Sequence, residues 1–174
     1  MSKVIKSKLD IDSLQKAIDE LETYQSNFNN KLKAFMDALL ENGLKVASDR
    51  ASSFVGDSEP ATADKTYVVS DGDRLVATIF IYGKDVLFIE FGAGIAYNTG
   101  AQHPYADQFG YGIGTYPSKH PPNRAINPAR WVYGHNDDGS PIWSIGTQAT
   151  MPIYYASESM RNEAVSKALD VFRS

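Results

Sequence analysis

Residues 86–100 read VLFIEFGAGIAYNTG, an apolar run that breaks into Gly-x-Gly. The fold turns on this junction. A strand followed by Gly-x-Gly-x-x-Gly and a helix would belong to a parallel nucleotide-binding sheet, because the glycines let a helix N-terminus meet a pyrophosphate. Gly92 and Gly94 are in place, but the third position is Tyr97. The residues that follow, IAYNTGAQHP, make a poor helix start, and Asp107 falls in loop sequence where the ribose-binding acid should end a second strand. The methyl-donor variant of the motif fails for the same reasons. VLFIEF (86–91) is therefore expected to be a strand, and Gly92 and Gly94 its exit. No cofactor is expected.

Upstream of the junction the period is alternating. TYVV (66–69) and RLVATIFIY (74–82) flank SDGD, whose Asp-Gly is a hairpin signal, and GKD (83–85) supplies the next turn. With 86–91 as third strand, residues 66–91 form an antiparallel meander. Before it, VGDSEPATAD (55–64) has loop composition.

Residues 10–54 are helical. Asp12 and Gln15 match a capping box, and Ile11, Leu14, Ile18, Leu21, Phe28, Leu32, Phe35 and Leu39 recur at spacings of three and four, with Gln25 interrupting the seam. This predicts a long amphipathic helix or an antiparallel helix pair. QSNFNN (25–30), made of weak helix formers, is the place for a kink or break. The apolar face implies a core-facing helix, with self-association as the other use.

Downstream, 92–130 holds five of the eight prolines and six of the thirteen glycines, so neither period survives there. It also holds Tyr97, Tyr105, Tyr111 and Tyr116, whose rings gain by burial, which predicts an arm ordered against a partner. RWVYGHNDDGSPIWSIGT (130–147) reads as a second hairpin, tipped by Asp138-Gly139 and carrying Trp131 and Trp143 on its arms. Residues 151–173 form a closing helix with Pro152 in its first turn and Ala156 on its apolar face. The expected fold is α+β in a single domain, 1–174, with the C-terminal helix packed on the sheet.

Composition bounds the chemistry. With no cysteine, disulfides, thiolate zinc sites and a cysteine nucleophile are excluded. The longest strongly apolar run, Val86 to Ile89, is too short to span a membrane, and MSKVIKSKLDID lacks the apolar region of a secretory signal. A net charge of −4 does not suit a duplex-DNA binder, whose affinity comes from phosphate neutralisation. Glu90, the one carboxylate in the apolar run, is expected in a structural ion pair or a subunit contact. His103, His120 and His135 are widely spaced in loop sequence, which implies surface or partner contacts and no metal site. Serines 52, 53, 140 and 144 have no Gly-x-Ser-x-Gly elbow, and no active site is legible.

Two phrases in order, FIEFGAGI (88–95) and GTQATMPIYYASESM (146–160), with the Trp hairpin between them, resemble the head–tail joining proteins of long-tailed bacteriophages. These neck or tail-completion proteins are also called minor tail or minor capsid components. Glu90, Phe91, Gly92 and Gly94 match the family's first phrase, with Ala93 where Thr is common. Gly146, Pro152 and Ala156 match the second, with Ile153 in an aromatic position. The resemblance implies an α+β virion protein, not an enzyme, that forms a homo-oligomeric ring, commonly a hexamer. The ring would join the head connector or head-closure protein to the tail terminator or tail tube protein and line the channel through which DNA leaves without being specifically bound. It would be assembled in the host cytoplasm, with no membrane partner. The aromatics Tyr97, Tyr105, Tyr111, Tyr116, Trp131 and Trp143 would supply contacts. Three alternatives remain: a tail terminator, a cofactor-binding enzyme using Gly92 and Gly94, and a carbohydrate-binding module built on the Tyr and Trp clusters.

Overall fold

The computed structural model describes residues 10–54, 56, 58–66, 69–71, 74–94, 102–113 and 131–173. Tyr97, Tyr116 and His120 lie outside the described residues, as do the side chain of Trp131 and the tip of the first hairpin. The fold is α+β, as expected: a long N-terminal helix, small sheets, and a C-terminal helix packed on both.

Helix α1 runs unbroken from Ile11 to Ala51, about 60 Å at 1.5 Å per residue. Its N-cap is Asp10, whose carboxylate accepts from the Ser13 N–H at 2.9 Å. The capping box expected at Asp12 does not form. Asp12 instead sits in the first turn, where its charge favours the helix dipole, and Gln15 donates to Asp19 at 2.9 Å. No break occurs at QSNFNN. The helix passes through these weak helix formers without interruption.

The first hairpin has two ladders. β1 (Thr62–Lys65) pairs with β4 (Ile79–Tyr82), and β2 (Val69–Asp71) with β3 (Arg74–Val76), all antiparallel. The first strand thus begins inside the stretch expected to be a loop. TADK has little strand propensity of its own. It forms a strand because IFIY offers a ladder, with the Lys65 ammonium paired to Glu41 on α1.

The third strand is corrected. VLFIEF folds as helix α2 (Val86–Phe91), with the Phe88 and Ile89 amides donating to the Asp85 carbonyl. An apolar run this short carries no period that separates strand from helix. In a strand Ile89 and Glu90 would point to opposite faces. In α2 both are buried on the side facing the helix ends, while Leu87 stays exposed.

Beyond the glycines, β5 (Ala93–Gly94) pairs in parallel with β6 (Gly112–Ile113), and a 3-10 turn spans Asp107–Phe109. The described part of the long loop folds back on its own chain, and most of the stretch expected to be an arm, 95–101 and 114–130, lies outside the described residues. The Gly112 N–H donates to the Gly92 carbonyl at 3.1 Å, and Tyr111 stacks on Phe91 with ring centroids 5.6 Å apart.

The second hairpin joins β7 (Trp131–His135) to β8 (Pro141–Ser144). At its tip the Ser140 hydroxyl, and secondly its N–H at 2.8 Å, hydrogen-bond the Asp138 carboxylate and hold that group below the usual aspartate range. A lowered folded-state value contributes stability present above the unfolded value and lost as pH falls through the folded one. Ser140→Ala should move the Asp138 titration upward in a carbon-detected NMR pH series. An unmoved titration would refute this cause.

Helix α3 (Pro152–Arg173) runs antiparallel to the C-terminal half of α1. Asn42 donates to Ser159 at 2.8 Å, and Phe172 packs between Phe28 and Phe35. At the other end the Arg50 guanidinium lies 3.4 Å from the Tyr155 ring centre and donates to the Thr150 carbonyl. The core gathers at this end, around Ala47, Ala51, Ala61, Ile89, Met151 and Ala156.

Candidate functional site

The sequence-marked residues converge where α2 ends and α3 begins. The first turn of any helix leaves amides without intrahelical acceptors. In α3 the residue preceding Pro152 is Met151, which has no acceptor side chain and a positive φ of 54°. The acceptor comes instead from 63 residues upstream. Glu90 Oε2 accepts from the Ile153 N–H at 2.9 Å and Oε1 from the Tyr154 N–H at 3.0 Å. A carboxylate against a helix N-terminus also gains from the dipole, which offsets the cost of burying its charge.

His103 completes the clamp. Its Nε2 lies 3.2 Å from Glu90 Oε1, and its Nδ1 accepts from the Tyr105 N–H at 3.1 Å. With Nδ1 as the acceptor, the hydrogen sits on Nε2 and points at the carboxylate. The ring is buried, where a surface histidine was expected, and packs edge-on to Phe91 (4.5 Å) and Tyr154 (5.3 Å). Pairing Glu90 with His103 needed the turn at 103–106, which no local pattern announces.

The glycines brace the same joint. Ala93 exchanges both backbone bonds with Thr147, its N–H to the Thr147 carbonyl at 2.9 Å and the return bond at 3.0 Å. Gly146 (φ +93°) passes so close to Ala93 that an added Cβ would lie 3.0 Å from the Ala93 carbonyl carbon. Gly92 (φ +78°) turns the chain out of α2 against Ala149. The Gly92 N–H is donated to Phe88 and the Ala93 N–H to Thr147, so these amides cannot face a phosphate. This removes the physical basis of the cofactor-loop alternative at Gly92. Glu90, Phe91, Gly92, Gly94, Gly146, Pro152 and Ala156 thus belong to one assembly, all except Phe91 buried. Trp143 is half-buried on β8, away from it, and His135 is exposed on the hairpin.

Above the clamp lies an open groove of about 530 Å³. Its floor is Glu90, His103 and Tyr154, and its lip includes the exposed Phe80, Leu87, Tyr105 and Phe109. Among the described residues no cluster of three or more His, Cys, Asp or Glu could hold a metal ion. No helix among them is long and apolar enough to cross a membrane. The clamp's donors and acceptors satisfy one another, so the joint holds its parts in place, and the lip is left exposed. No family model, curated protein or solved structure matches this chain.

Proposed function

We propose that the chain is a structural subunit of the head–tail interface of a long-tailed phage, a neck or tail-completion component. It assembles into a ring, commonly of six, around the path of DNA exit, with the head connector or head-closure protein on one side and the tail terminator or tube on the other. One observation carries this reading: the two separated phrases that resemble the family, 88–95 and 146–160, meet at a single joint. Glu90 of the first caps the helix that the second opens, and Gly146 of the second is pressed against Ala93 of the first. Their joint appearance in the sequence thus has one physical cause. The exposed lip of Phe80, Leu87 and Phe109 supplies the kind of apolar patch that heterologous, closing contacts need. A net charge of −4 suits a channel that DNA crosses without sticking. The subunit acts without catalysis or cofactor.

The test is genetic and visual. Deleting the gene from the phage that carries it should leave filled heads and separate tails, and the purified protein should form rings by electron microscopy. Leu87→Asp should abolish the rings while leaving the circular dichroism unchanged. Normally joined particles from the deletion would sink the proposal. Binding to the tail tube alone would favour a tail terminator.

A further inference from the structure

Helix α1 is covered along only part of its length. From Phe28 onward its seam lies against α3, with ring centroids of Phe28 and Phe172 5.9 Å apart, and α3 ends at Arg173, level with that contact. Towards its N-terminus α1 runs on for about 25 Å. Every residue from Ile18 to Asn30 is exposed, Leu21 by 55% and Ile11, further out, by 85%. The apolar stripe does not stop with the cover. Ile11, Leu14, Ile18, Leu21, Gln25 and Phe28 hold successive a and d heptad positions in phase with the half-buried Leu32, Phe35 and Leu39. QSNFNN, made of weak helix formers, lies at the root of this segment, so burial of its stripe on a partner would stabilise it.

We infer that this partner is the same segment of a second copy, packed antiparallel across a two-fold axis. Direction is the first ground. Because α3 runs antiparallel to α1, an antiparallel second helix continues the line of α3 past its end. A parallel pair would bring both α3 helices between the two α1 helices just below Phe28 and force them apart. Register is the second. Matching a to d positions places Ile18 against Leu21 of the second copy, Leu14 against Gln25, and Ile11 against Phe28. Ile11 of the second copy then arrives beside Phe28 and Phe172, where α3 stops, and the seam has no gap.

Flanking chemistry is the third. In this register Asp10 faces Lys31 of the second copy, Gln15 faces Glu22 and Ala17 faces Tyr24, so no like charges meet. The contact is isologous, each pair occurring twice. The outer face carries Asp12, Asp19 and Glu20 against Lys16, which disfavours an anionic membrane as the cover.

The chain has no cysteine, so introduced ones report the register. Chains carrying Ile18→Cys and Leu21→Cys, mixed and oxidised, are expected to give a disulfide-linked heterodimer, as are Ile11→Cys and Phe28→Cys. Ile11→Cys alone should stay unlinked, since its two copies lie about 25 Å apart. In sedimentation equilibrium the full chain should pair with rising concentration and gain far-ultraviolet helical signal. Leu14→Asp with Leu21→Asp should abolish both effects and leave the near-ultraviolet spectrum of the body unchanged. Self-linking of Ile11→Cys would indicate a parallel pair, and a mass unaffected by the double substitution would indicate a bare stripe; either result overturns the inference. Ring formation is scored separately with Leu87→Asp, which should leave the cysteine cross-links intact.

Discussion

Glu90→Ala is expected to destabilise the protein by about 3 kcal/mol, the combined cost of a lost helix cap and a buried donor left without an acceptor. Three losses combine. The Ile153 and Tyr154 amides lose their acceptor, and caps of this kind contribute about 0.5–2 kcal/mol. His103 Nε2 keeps its hydrogen in a buried site without an acceptor, at about 1–3 kcal/mol. The space left beneath Tyr154 adds a cavity. For a chain of this length each kcal/mol moves the melting temperature by about 2–4 °C, so a fall of roughly 6–12 °C should be seen. Glu90→Gln keeps one carbonyl oxygen for an amide but turns an NH₂ toward a donor, and should cost about half as much. His103→Ala should cost less than Glu90→Ala, because the carboxylate keeps both helix amides. Urea unfolding of the three variants checks this order. A Glu90→Ala change within 0.5 kcal/mol of the parent, the range of ordinary surface substitutions, would show that the clamp holds nothing.

Gly146→Ala is expected to cost about 3 kcal/mol or more, and to prevent folding if the parent is only marginally stable. Two effects coincide there. A φ of +93° strains any L side chain, and the added Cβ would meet backbone atoms, 3.0 Å from the Ala93 carbonyl carbon and 3.1 Å from the Gly94 Cα. Backbone cannot swing aside as a side-chain tip can, so the pairing of Ala93 with Thr147 would have to open. Gly110→Ala and Gly139→Ala isolate the first effect. Their φ values are +71° and +79° with nothing within 4 Å of a Cβ, so each should cost only about 1 kcal/mol. Equal losses at all three positions would mean that conformation alone, not close approach, explains Gly146.

Much of the architecture was legible because its causes are local. The three-and-four spacing from Ile11 to Leu39 marks α1, the Asp-Gly pairs mark the two hairpins, and Pro152 marks the first turn of α3. The misses share a different cause. The strand at 62–65 exists because 79–82 lies opposite. VLFIEF is helical because Ile89 and Glu90 must both face the ends of α1 and α3, and its residue types would suit a strand as well. The loop was read as an arm because its tyrosines called for burial; Tyr111 packs on Phe91 and Phe88 of the same chain, while most of the stretch lies outside the described residues.

The candidate site divides in the same way. Glu90 stood out as a carboxylate in an apolar run, and Gly92 and Gly94 as breaks, since a charge among apolar residues and a glycine at a strand or helix end are visible in one dimension, whereas Gly146 was marked only by the resemblance. Their joint task was not visible. Met151 gives no sign that α3 is capped, because its cap is supplied from 63 residues away, and His103 gives no sign of burial, because its acceptor is that same carboxylate. By itself the sequence determined where the two hairpins turn, where the chain has a helical period, and that its class is α+β, all set by the preferences of neighbouring residues. Only the tertiary structure decided that 86–91 coils and that Glu90, His103 and the head of α3 form one clamp. Which donors a buried carboxylate meets depends on chain segments brought together by folding, and no local preference encodes that.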